Sequence, residues 1–416
     1  MFRKLSIALA LILISAVYAQ TTVTWWDFLG GGDGIRMKKL IDDFNASHDD
    51  IKIDGTTLEW GPSYYTKVQT SAAVGEQPDI MTYHLSRYTL AIPTGVLRPF
   101  SEEELASVGL STSDYNAAAM QAATGSDGQI YGVPLDIHAI VLYYNKEILG
   151  AAGLLDDNGH PNFTSSLEDF NAGMEKIKAA GSIPLAYPGD NGTTWRVAYS
   201  MIGQQGAQLL DENNKVAAIE ELTNAVSAIR GWMDNGLGTP NTEYPAAIAL
   251  FTSGEASMML NGVWEVPTMV DLAAKGELFD WGAVEIPTWY AEPATWADSH
   301  AFAIPNSSAK PISDEKLAAV LEVIAWMSKN SLFWATAGHI PAYSPVTDSD
   351  DYKAMEPNAT YAVLGEHAFF DPKSNLAGAA GSPLYDAVAQ YLMPAVNGQL
   401  SVDEAIEMFV EDIDSQ

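Results

Sequence analysis

The chain has 416 residues, 53 acidic side chains against 21 Lys and Arg, a formal net charge of −32 and no cysteine. That length allows two or three domains with real cores, and an apolar content of 47% argues against disorder despite the charge. The acidity disfavours nucleic acid and anionic membranes as partners, and the missing cysteines exclude disulfides, thiolate metal sites, iron–sulfur clusters and cysteine nucleophiles.

Arg3 and Lys4 precede an apolar run from Leu5 to Val17 that closes on Val17-Tyr18-Ala19. A positive start, a short hydrophobic core and small residues before a cut describe a secretory signal peptide over residues 1–19. The run is too short for a spanning helix, which needs about 20 apolar residues. Cleavage after Ala19 removes Arg3 and Lys4, takes the net charge from −32 to −34, and starts the mature chain at Gln20. The expected product is exported, soluble and periplasmic.

Beyond the cut, short β-type runs alternate with helical patterns, which predicts α/β architecture. Val23 to Asp27 reads as a strand, followed by the glycine-rich turn Gly30 to Gly34. Met37, Leu40, Ile41 and Phe44 then repeat at helical spacing. Further strands are expected at 51–53, 79–83, 141–144, 258–260 and 300–304. Ser165 and Glu168 form a capping box before the apolar face Leu167, Phe170, Met174 and Ile177. Ser313 caps a helix carrying Leu317, Val320, Leu321 and Ile324. Proline-marked stretches at Val133-Pro134 and Ile286-Pro287-Thr288 are places for the chain to cross between lobes.

The chemistry-bearing residues point to no cofactor and no metal motif. Gly30 to Gly34 lacks both a following Lys-Ser/Thr and the G-x-G-x-x-G spacing, so it is not a nucleotide loop. His84, His138, His300, His339 and His367 are scattered without paired spacing, and isolated histidines more often satisfy local hydrogen bonds than hold metal. The acidic turns at 156–159 and 348–351 lack the alternation of a calcium loop. Trp25, Trp26, Trp60, Trp195, Trp264, Trp289 and Trp296 all lie near turn residues, where an indole can cover the C–H face of a sugar ring. No G-x-S-x-G serine motif occurs, while a carboxylate pair for glycoside hydrolysis stays open as an alternative.

Several blocks in order carry a family resemblance. They are Val23-Thr-Trp-Trp-Asp-Phe, Ala73-Val-Gly-Glu-Gln-Pro-Asp-Ile, Gly95-Val-Leu-Arg-Pro-Phe, Tyr131-Gly-Val-Pro-Leu-Asp through Leu142-Tyr-Tyr-Asn-Lys, Phe251-Thr-Ser-Gly-Glu-Ala-Ser-Met-Met through Trp264, and Ile340-Pro-Ala-Tyr. Together they resemble the extracellular solute-binding proteins of ABC sugar importers (family 1). His84, His138, Asp298-Ser299 and His367 resemble the glucose/galactose-type members within it. The chain departs from that group at Asp33, Tyr244 and Asp136, where a longer acid, a tryptophan and an amide are expected.

The resemblance implies a two-lobed α/β binding-protein fold that closes about a hinge on a sugar. It divides the chain into residues 20–133 plus about 297–345 as one lobe, and 134–296 plus about 346–416 as the other. It assigns the ligand site to Trp25, Trp26, Asp33, His84, Asp136, His138, Trp195, Tyr244, Trp264, Asp298 and His367. Trp26 and Trp264 stack on the ring, Trp195 and Tyr244 form the rim, and the acids and histidines take hydroxyls. With no Lys or Arg among these positions, a neutral hexose such as glucose or galactose is expected. A disaccharide or oligosaccharide is the alternative, and a secreted carbohydrate-active enzyme the remoter one. The implied partners are the membrane permease subunits of an ABC importer, and the implied state is a monomer without enzymatic activity.

Overall fold

The computed structural model describes residues 20–416, so the signal peptide expected over 1–19 lies outside the described residues. Thirteen strands, taken in chain order, build two sheets. The first sheet contains β1 (Thr21–Asp27), β2 (Ile51–Thr57), β3 (Ile80–His84), β4 (Leu97–Arg98) and β5 (Val133–Pro134). The second opens with β6 (Asp136–Asn145), β7 (Ile183–Ala186), β8 (Ala256–Gly262), β9 (Trp281–Glu285) and β10 (Thr295–Asp298). The chain then returns to the first sheet with β11 (His300–Pro305) and to the second with β12 (Ile340–Pro341) and β13 (Ala368–Phe370). Every strand expected from the sequence is present, some longer and some moved by a residue.

Each sheet mixes parallel and antiparallel pairs. In the first, β1 runs parallel to β2 and β3, and β11 runs antiparallel to β3, β4 and β5. In the second, β6 is the hub, antiparallel to β8, β9, β10 and β12. All ten residues of β6 are buried, as a strand covered on both faces must be. β1 shows the other pattern: Val23, Trp25 and Asp27 point into the core while Thr24 and Trp26 do not.

Helices cover both sheets. Helix Gly31–Ser47 buries Met37, Leu40 and Phe44 at the predicted spacing. The Ser165–Glu168 capping box is corrected by one residue: Ser166 caps helix Leu167–Ala179 by accepting from the Asp169 amide at 3.0 Å. The Ser165 hydroxyl bonds instead to the Asp169 carboxylate at 3.0 Å. Ser313 does cap helix Asp314–Lys329, accepting from the Lys316 amide at 3.3 Å.

Two α/β lobes result. One core gathers Trp25, Tyr83 and Phe302 around the first sheet and continues onto one face of the second through Val141, Tyr143 and Met259, while the other gathers Leu142, Trp195 and Trp232 on the second sheet's opposite face. The chain passes from β5 in one sheet to β6 in the other across Leu135, and from β10 back to β11 across Ser299. Strand register at those passages sets up the site. Asp298 lies opposite His138 in the β10–β6 ladder, and His300 lies opposite His84 in the β11–β3 ladder.

Candidate functional site

A cavity of about 700 Å³ opens between the lobes, inside the size range of small-molecule sites. Of the expected site residues, Asp33, His84, His138, Tyr244, Trp264 and Asp298 line it. Trp25, Trp26, Asp136, Trp195 and His367 do not, and each absence has a local cause.

Trp25 sits on the inward face of β1, donates its indole N–H to the Thr82 hydroxyl at 3.0 Å and packs edge-on to Phe302. Trp26, one residue on, turns to the other face of the sheet, with the Lys67 ammonium 5.2 Å from its ring. Trp195 belongs to the core stripe Trp195, Ala198, Tyr199 and Ile202 of helix Asn191–Gln204 and donates to the buried Asp371 carboxylate at 2.8 Å. His367 pairs with Glu285 at 2.6 Å beside β13.

Asp136 has no exposed surface and lies behind the cavity wall. Its carboxylate accepts from the His300 amide at 2.9 Å and the Trp334 indole at 2.7 Å. The Nδ1 atoms of His138 and His300 lie 3.2 and 2.8 Å from the same carboxylate. Burial alone would raise its proton affinity, but electrostatic attraction to His300 and His339 and the imidazole hydrogen bonds outweigh it and hold Asp136 well below the usual carboxylate range. The expected hydroxyl-binding acid is therefore an anchor for the histidines that do reach the cavity.

The wall itself is built by helix starts and strand ends. Asp33 stands in the first turn of its helix, where its Oδ2 meets His339 Nε2 at 3.1 Å and its buried Oδ1 has no protein partner. Gly32 keeps that turn close to helix Val266–Ala274, since a Cβ there would sit 2.5 Å from a Pro267 side-chain carbon. The Trp264 indole donates to the Tyr244 hydroxyl at 2.7 Å, and that hydroxyl lies 2.8 Å from Glu265 Oε1. Gly262 lets the Trp264 ring lie against the backbone, where a Cβ would overlap it at 2.2 Å. Asp298 accepts from the Ser86 amide and hydroxyl at 3.0 and 2.5 Å and from the Ser299 amide at 2.8 Å.

Burial sets the protonation of this wall. It pushes the Asp298 carboxyl up to about 7 and raises Glu265. It also holds His84 well below its ordinary value and His138 down to about 3. Both imidazoles are neutral at physiological pH and offer ring nitrogens as acceptors.

Several wall residues were not among those expected: Glu59, Trp60, Asp190, Arg196, Glu265, Trp296, His300, His339 and Tyr385. Arg196 is the single Lys or Arg on the wall among the described residues, with its guanidinium 4.9 Å from the Trp264 ring and 4.6 Å from Trp296. The helical stripe gives its signal: Trp195 is on stripe, so Arg196 turns about 100° away from the core. Trp60 is the exposed indole at the rim, with 48% of its surface open.

A pH dependence follows from His138. Its proton affinity in the unfolded chain is that of ordinary histidine, near 6.5, and in the folded chain about 3. Between these values the unfolded state binds more protons, so stability falls as pH drops from 6.5 toward 3. The melting temperature of His138→Gln should therefore fall less between pH 7.5 and pH 5 than that of the wild type. Parallel curves for the two proteins would show that His138 does not contribute.

Comparison with known proteins follows the same lines. The family of bacterial extracellular solute-binding proteins matches residues 39–360. The sn-glycerol-3-phosphate-binding periplasmic protein of Brucella abortus is 26% identical over 271 residues, covering 61% of this chain and 59% of that protein. The match thus spans less than two thirds of that relative. The maltodextrin-binding protein of Bacillus subtilis is 23% identical over 319 residues, covering 73% and 71%. The GacH receptor of Streptomyces glaucescens, solved unliganded and with acarbose, superposes with a TM-score of 0.77 at 19% identity, over 94% of this chain and 97% of that one.

Proposed function

The chain belongs to the bacterial extracellular solute-binding proteins, a family of binding proteins rather than enzymes, and from that premise we propose that it captures a sugar of two or more rings for an ABC importer. The observation that carries this is the interlobe cavity, where Trp60, Trp264 and Trp296 stand among carboxylates and neutral imidazoles. Indoles cover ring faces while the polar groups take hydroxyls. A relative named for maltodextrin binding and a structure with acarbose favour a longer sugar over the single hexose of the glucose/galactose likeness. His367, one of the residues carrying that likeness, is also away from the wall.

In this reading Asp33, His84, His138 and Asp298 take hydroxyls, and Trp60 is the rim platform. Lobes 20–133 plus about 297–345 and 134–296 plus about 346–416 rotate about the passages near Leu135 and Ser299. The mature protein works in the periplasm as a monomer and delivers its solute to the permease subunits. Among the described residues no helix is long and apolar enough to cross a membrane.

Arg196 supports a second reading, an anionic sugar, since its guanidinium reaches the wall and one relative is named for glycerol-3-phosphate binding. Five acids on the same wall (Asp33, Glu59, Asp190, Glu265 and Asp298) weigh against it. A calorimetric screen over maltose, maltotriose, glucose, galactose, a uronic acid and glycerol 3-phosphate separates these readings. Submicromolar binding of a di- or trisaccharide, unchanged on recovery and with a smaller radius of gyration in solution scattering, is the expected result. Hydrolysis of the sugar would establish the enzymatic alternative, and no sugar binding at all would end the proposal.

A further inference from the structure

The histidines scattered in sequence converge in space. The ring centres of His84, His138 and His300 lie 4.4 to 5.5 Å apart, and His339 stands 5.3 Å from His300. Two groups of donor atoms fall within 4.8 Å of one another: Asp136, His138, His300 and His339, and separately His84, His138 and Asp298. They are not equivalent. The Asp136 carboxylate already accepts from a backbone amide, an indole and two imidazoles, so a metal there would have to displace donors that hold the wall together. The second group faces the cavity, and all three of its members line it.

We propose that His84, His138 and Asp298 form a binding site for a divalent first-row transition metal of the zinc class, with its remaining coordination turned to the cleft. Two nitrogens and one carboxylate oxygen with an open position is the donor set of many three-ligand zinc sites. Each ligand has the outer-shell partner such sites require. His138 is oriented through Nδ1 by Asp136, His84 is oriented through Nδ1 by the Tyr65 hydroxyl at 2.6 Å, and both Nε2 atoms remain for a ligand. Asp298 is held by Ser86 and Ser299, and its Oδ2, with one donor, keeps a lone pair. The acids around the cavity outnumber its single arginine, which favours a cation. Bond lengths of about 2.0–2.2 Å require the donors to draw together on binding. His138 and Asp298 are register partners in the second sheet, and His84 reaches them from the end of β3 in the first.

The test uses the metal alone on chelator-stripped mature protein, so its outcome does not depend on which solute the cleft takes. Cobalt titration should give visible d–d bands saturating at one equivalent and displaced by zinc. His84→Gln and Asp298→Asn should each weaken affinity at least about tenfold, while His339→Gln, on the Asp136 side, should retain it. Only the aqua-ion spectrum with wild-type protein would overturn the proposal without any variant. Loss of affinity in His339→Gln with affinity retained in His84→Gln would also overturn it, placing the metal on Asp136 instead.

Discussion

Trp264→Ala should lower sugar affinity about a hundredfold in protein that remains folded. The indole is half-buried on the cavity wall, tied to Tyr244 by its N–H and overlain by the Arg196 guanidinium. Truncation removes its contacts with the solute, takes one donor from the Tyr244 hydroxyl and leaves Arg196 without one of its two aromatic supports. Large-to-small changes of this kind cost ~3 kcal/mol or more, and ~1.4 kcal/mol is a tenfold change in affinity. The matched control is Trp25→Ala. Trp25 is fully buried between Thr82 and Phe302 and away from the cavity, so its loss should lower the melting temperature while the folded fraction keeps its affinity. Calorimetry and thermal melts on both variants separate wall from core. Wild-type affinity in folded Trp264→Ala would place the solute elsewhere.

That contrast also shows what was legible in the sequence. Strands and helices were, because their apolar periods are local, and so was the two-lobed architecture, through motifs spread along the chain. Residues at the ends of strands, such as His84 and Asp298, lie on the cavity wall. Adjacent residues were harder. Trp25 and Trp26 both carry an indole yet neither reaches the wall, and of Trp195 and Arg196, which differ in the way the helix turns them, a composition-based eye for tryptophan picks the wrong member. The 3.6-residue stripe through Trp195, Ala198, Tyr199 and Ile202 carried the information for the second pair. The histidine cluster was beyond local reading. Its members are set together by β-ladders joining residues more than a hundred positions apart, and no spacing rule reports that.

Asp136 shows how far such a ladder reaches, and Asp136→Ala is expected to be the most damaging single change near the site. The carboxylate is fully buried and serves His138, His300 and Trp334 at once. Removing it strands these donors away from water, and breaking a buried polar pair from one side costs ~3–5 kcal/mol. The melting temperature should fall sharply at pH 7, and sugar affinity should fall with it as the His138 and His300 rings lose their orientation. Asp136→Asn keeps one accepting oxygen and should lie between. The pH dependence has a definite sign. Because the folded-state affinity of Asp136 for protons is depressed, its stabilising contribution is fully present above about 3.8 and is lost as pH falls through the lower folded value. The gap between wild type and Asp136→Ala should therefore be constant from pH 8 to pH 5 as far as this carboxylate is concerned, and close only in stronger acid. A gap that closes already near pH 6.5 would assign the stabilisation to the histidines and not to the carboxylate that orients them.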